Sequence, residues 1–75
     1  MHKGELKRML DAKRPERARQ ACEMIFRAYL EHGAAKRVAP LLGCTPAELG
    51  RIIATCPQGR EARDRALRER LSRCA

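Results

Sequence analysis

The stretch Gly33-Ala34-Ala35-Lys36-Arg37-Val38-Ala39-Pro40-Leu41-Leu42-Gly43-Cys44-Thr45-Pro46-Ala47-Glu48-Leu49-Gly50-Arg51-Ile52-Ile53 decides how this chain folds. It reads as two short helices, residues 35–42 and 46–55, around a tight turn. Val38, Ala39 and Leu42 give the first helix an apolar face. Gly43 follows at once, where a helix ends on a left-handed residue that glycine adopts at little cost. Thr45 is placed to cap the second helix, Pro46 suits its first position, and Glu48 completes a Thr-x-x-Glu capping box. Leu49, Ile52 and Ile53 supply the inward face at i, i+3 and i+4.

Helix, a short turn containing glycine, and helix is the helix-turn-helix plan. Ala39 is small where the two helices must cross closely. In that plan the second helix is the one offered to a DNA major groove. A hairpin of purely structural purpose, or one that binds a protein, satisfies the same pattern.

Working outward toward the N-terminus, residues 16–32 form a long helix on Ala18, Ala21, Cys22, Ile25, Phe26 and Tyr29, which recur at helical spacing. Met24 and Leu30 widen its apolar surface, which suits either a cover over the preceding helix or contact with another subunit. His32-Gly33 is its stop, with His32 beside the negative end of the helix dipole. Residues 5–14 form a short first helix on Leu6, Met9 and Leu10. It ends because Pro15 pushes Arg14 out of the helical region.

Toward the C-terminus, Cys56-Pro57-Gln58-Gly59 reads as a turn. Residues 60–74 then form a basic helix with an apolar stripe of Leu67, Leu71 and Cys74, helped by Ala62 and Ala66. Glu61 with Arg65, Asp64 with Arg68, and Glu69 with Arg73 are acid-before-base pairs at i, i+4, the favourable order. That leaves Arg60, Arg63 and Arg70 as unpaired cations. The expected architecture is all-α, a single small domain over residues 1–75 with four to five helices.

The 75 residues carry a formal net charge of +8. Strong positive charge on a small domain points to a polyanionic partner, nucleic acid first. With one Phe, one Tyr and no Trp, stacking on single strands has little to work with, so duplex DNA is favoured over RNA platforms. No apolar run is long enough to span a membrane, and the N-terminus lacks the apolar core of a signal peptide. A cytoplasmic protein is therefore expected. A core this small favours pairing with a second copy.

Cys22, Cys44, Cys56 and Cys74 form no C-x-x-C pair, and reduced thiols are expected. Cys22 and Cys44 occupy positions that suit small core side chains. A zinc site would need distant ligands such as His2 or His32 and lacks the usual close spacing, so no metal and no cofactor are expected. A redox role is equally unsupported. No paired carboxylates, Ser-His-Asp set or glycine-rich phosphate loop is present, which argues against an enzyme.

From Gly33 to Ile53 the chain resembles the Fis-type helix-turn-helix of nucleoid proteins and enhancer-binding activators. The resemblance rests on Gly33, Ala39, Gly43, Thr45, Leu49 and Ile53, and extends loosely back through Tyr29-Leu30-Glu31-His32. It implies duplex DNA binding, usually as a homodimer. Three departures stand against it: Pro40 lies inside the first hairpin helix, Arg51 is the only clearly base-reading side chain on the second, and an arginine-rich helix follows where such domains usually end. Of the 17 Lys and Arg residues, seven fall in residues 1–20 and six in residues 58–75. Binding should therefore be dominated by phosphate contacts, which carry affinity more than sequence selectivity.

The expected function is that of a small transcriptional regulator or nucleoid-type protein. Lys36, Arg37 and Arg51 would hold phosphates or bases, the helix start at Thr45, Pro46 and Ala47 would meet a phosphate, and Arg60, Arg63 and Arg70 would extend the surface. The alternative is a small inhibitor or adaptor that uses the hairpin or the basic helix against an acidic protein surface.

Overall fold

The computed structural model describes residues 4–11 and 14–74, with backbone only at Cys74. Five helices occupy them in the order α1 (Glu5–Asp11), α2 (Pro15–His32), α3 (Ala35–Leu41), α4 (Pro46–Thr55) and α5 (Pro57–Cys74). No strand occurs among the described residues. The all-α expectation holds, and none of these helices is long and apolar enough to cross a membrane.

Several helix boundaries have a local cause, while the expected last turn of the first helix at residues 12–13 lies outside the described residues. Arg14 is extended (φ −97°, ψ 116°) and Pro15 opens α2, as a pre-proline residue requires. Gly33 ends α2 in the left-handed region (φ 73°), with its N–H donating to the Tyr29 carbonyl. The α3 terminus is a complete Schellman motif. Cys44 N–H donates to the Ala39 carbonyl at 3.0 Å and Gly43 N–H to the Pro40 carbonyl at 3.2 Å, with Gly43 at φ 70°. That geometry satisfies carbonyls the helix end would otherwise leave bare. Pro40 is accommodated inside α3. It sits close enough to the C-terminal end that the missing N–H affects one carbonyl, that of Lys36, without breaking the helix.

The core is built on α2. Ala21, Ile25, Ala28 and Tyr29 are buried along one face, with Leu6 and Met9 from α1, Val38, Ala39 and Leu42 around α3, Leu49 and Ile53 from α4, and Ala62 and Ala66 from α5. Met24 and Leu30 pack half-buried against this cluster, so within the chain they serve as core margin. The most extensive helix–helix contact is between α2 and α5, which are far apart in sequence.

Two expectations for the C-terminal region need correction. The turn at residues 56–59 is a break of one residue: only Cys56 is extended (φ −115°, ψ 105°), and α5 starts at Pro57 and equals α2 in length at 18 residues. Proline is pre-set for a first helical position, and Gly59 continues the helix with its open side facing inward. A Cβ there would lie 3.5 Å from Ile25 Cδ1. Nor does the expected leucine stripe of α5 pack as a whole: Leu67 is half-buried against the core, but Leu71 is not. Ala62 and Ala66 are buried, while Leu71 is 71% exposed. Small residues let two helix backbones approach, and that close seam turns Leu71 outward.

The charged pairs of α5 also differ from expectation. Of the three i, i+4 pairs expected in α5, only Glu69–Arg73 forms among the described residues, at 3.4 Å. Asp64 is taken by its neighbour Arg63 at 3.0 Å, and Arg65 lies 4.8 Å over the Phe26 ring. An aromatic face offers a desolvated partner that an exposed carboxylate does not.

Candidate nucleic-acid interface

The α3–α4 pair is fixed from both sides of its turn. Ala39 and Leu49 are fully buried, so the helices close on each other through one small and one large side chain. Thr45 Oγ1 accepts from the Glu48 N–H at 3.2 Å, which makes Thr45 the α4 N-cap. The reciprocal bond of a capping box is not among those formed by the described residues. Thr55 Oγ1 donates back to the Arg51 carbonyl at 2.8 Å and finishes the helix. With Leu49 and Ile53 inward, the outward face of α4 carries Pro46, Ala47, Gly50, Arg51 and Ala54, all exposed. Gly50 has open space where a Cβ would stand, so nothing inside the chain requires glycine there.

Anion-binding capacity at the α4 start is limited. Pro46 has no N–H, and the Glu48 N–H is committed to Thr45. The amides of Thr45 and Ala47 remain, with the Glu48 carboxylate in the same turn.

The nine sequence-predicted residues divide into two groups. Lys36, Arg37, Arg51 and Arg60 are exposed and make no ion pair among the described residues. Thr45, Pro46 and Ala47 are exposed at the head of α4. Arg63 and Arg70 are not the free cations expected. Arg63 is held against Asp64. Arg70 Nη1 donates to the Leu30 carbonyl at 2.7 Å, and its guanidinium lies over Gly33. Arg70 therefore serves the C-terminus of α2, where bare carbonyls and the dipole both favour a cation.

One residue missed in the sequence joins the set. Lys7 of α1 and Arg51 of α4 line a common groove of about 970 Å³, with Leu6, Leu10, Leu42 and Ile52 at its apolar side. The signal was present, since Lys7 is exposed next to the buried Leu6 on an amphipathic turn. Its proximity to α4 is tertiary and had no trace in local pattern. Asp11 and Glu48 line the same groove and offset its charge.

The described thiols do not gather into a metal site. Cys22, Cys44 and Cys56 are free and half-buried, and no three metal-ligating side chains converge among the described residues. His2 and the Cys74 side chain lie outside the described part. Burial pushes the Cys22 thiol above its ordinary value, and Cys56 and Glu61 add to the effect. Burial likewise raises Cys44, with Glu48 adding to it. Both thiols stay protonated near neutrality and are poor nucleophiles.

No family model, no curated protein and no solved structure matches this chain. The functional reading rests on the residues alone.

Proposed function

We propose that this protein binds duplex DNA as a small helix-turn-helix regulator or nucleoid-type protein, acting as a pair of copies and holding DNA chiefly through phosphates. One observation carries the reading: the glycine-and-threonine turn locks α3 against α4 and leaves the outer face of α4 uncovered. Lys36, Arg37 and Arg51 supply unpaired charge on that helix pair, and Lys7 and Arg60 add to it. Arg51 alone on α4 can grip a guanine edge with two donors. Discrimination between sequences is therefore weak, and contacts to the DNA backbone dominate.

The same α4 face supports a second reading. Apart from Arg51 it is Pro46, Ala47, Gly50 and Ala54, which offers little to base edges and suits an adaptor docked on an acidic protein surface. A gel-shift series on random duplex separates the two. With four phosphate contacts, the log–log salt slope should lie near about −3.6. Changing Lys36, Arg37 and Arg51 together to Glu should abolish binding at low salt. Absence of binding to any duplex at low salt, or affinity independent of salt, would overturn the DNA reading and leave the adaptor.

A further inference from the structure

Apart from Arg60 at its N-terminal end, the outward face of α5 has no function in the reading above. Pro57, Arg60, Glu61, Asp64, Leu67, Arg68 and Leu71 share it, spaced so that they form one stripe along the helix. Two features set it apart. It is electrically neutral, with two arginines against one glutamate and one aspartate, on a chain of net charge +8. It also carries Leu71, the most exposed large apolar side chain among the described residues, at 71%, beside the half-buried Leu67. A second copy can approach such a face without meeting like charge.

The order of charges selects the orientation. Glu61 and Asp64 precede Arg68 along the stripe. A parallel partner would set Asp64 against Asp64 and Arg68 against Arg68. An antiparallel partner, with the two-fold axis between these positions, sets Asp64 opposite Arg68 twice. It also sets Leu67 beside Leu67 and lays Leu71 along the stems of Arg60 and Glu61 of the second copy. That is the self-complementarity an isologous two-fold interface requires. Arg63 uses Oδ1 of Asp64, and the carboxylate retains acceptor capacity for a second donor. Arg68 makes no ion pair among the described residues.

We infer that two copies of this chain associate antiparallel through the Arg60–Leu71 face of α5. The inference rests on the two-copy element of the proposed function and does not depend on DNA. Sedimentation of the full chain over a concentration series tests it. Asp64→Arg and Arg68→Asp should each weaken association about ten-fold or more, because each turns two attractive contacts into two repulsive ones. Mixed in equal amounts, the two variants should regain association, since one then presents two arginines to the two aspartates of the other. Leu71→Asp should also weaken it. Both charged positions are exposed, and circular dichroism should show unchanged folding. A wild-type chain that stays monomeric to about millimolar concentration would overturn both the pairing and this surface. A dimer indifferent to all three substitutions would overturn the surface alone.

Discussion

The contact between Gly33 and Arg70 can be tested by a thermodynamic cycle. Gly33 sits at φ +73°, and a Cβ there would fall 2.6 Å from Arg70 Nε and 2.8 Å from Cζ. Gly33→Ala thus does two things. It places an L-residue in the left-handed region, at a cost of about 1 kcal/mol. It also displaces a guanidinium whose Nη1 holds the Leu30 carbonyl at 2.7 Å. A hydrogen bond to a charged group contributes about 1.5–3 kcal/mol, and partial exposure of Arg70 brings that down to about 1 kcal/mol. The sum is about 2 kcal/mol, or a fall of roughly 8–16 °C in Tm for a domain of this size. In an Arg70→Met background the guanidinium is already gone, and Gly33→Ala should cost only about 1 kcal/mol from backbone strain. The coupling expected from urea melts of the four proteins is therefore about 1 kcal/mol. Equal costs of Gly33→Ala in both backgrounds would refute the claim that Arg70 closes the end of α2.

The other predictions concern the hairpin and the buried thiols. Thr45→Ala removes the acceptor for the Glu48 N–H and should cost about 1 kcal/mol in thermal melts. Gly43→Val should cost more, because a β-branched residue at φ 70° is strained. Gly50→Ala fills open space in a helix interior and should raise stability by about 0.5–1 kcal/mol. Weaker duplex binding by that more stable variant would mark Gly50 as a point of close DNA approach, and unchanged binding would show that DNA does not pack closely on Gly50. Stability should decline at alkaline pH. Cys22 and Cys44 are raised by burial from the ordinary thiol value of 9.0, and burial raises Tyr29 from 10.0, with Arg63 opposing in part. These groups ionise first in the unfolded chain, so the stability they confer is complete below about pH 9 and is lost as pH climbs through the folded-state values. Urea midpoints that stay level from pH 8 to 11 would contradict this.

Much of the fold is legible in the chain because its signals are local. Gly33, Gly43, Thr45, Pro15 and Pro46 each mark a boundary through their own backbone or side chain, and each boundary lies where that chemistry places it. The failures share a tertiary origin. Pro57 is as good a helix opener as a turn former. In the folded chain Gly59 is buried next to Ile25, 34 residues away, a tertiary contact that local pattern does not show. The i, i+4 charge pattern of α5 predicted partners for Arg65 and Arg68. Arg65 found the Phe26 ring, and Arg63 took Asp64. Arg70, read as a free cation, is bonded to Leu30 across forty positions. Of the candidate interface, the exposure of Lys36, Arg37 and Arg51 follows from helical periodicity. The nearness of Lys7 to Arg51 comes from the packing of α1 and is invisible in either segment alone.

The seam between α2 and α5 bears on how the protein is made. Ala21, Ile25 and Ala28 of α2 are buried, and α5, the last element of the described chain, supplies the most extensive packing on that helix. During synthesis from the N-terminus, α1 to α4 emerge while that cover does not yet exist. At translation rates of about 5–20 residues per second, the eighteen residues of α5 take roughly 1–4 s to add. For that interval the nascent chain exposes the apolar face on which its core is built. The packing on α2 is completed only when α5 arrives, so a premature stop within α5 should yield an aggregation-prone fragment.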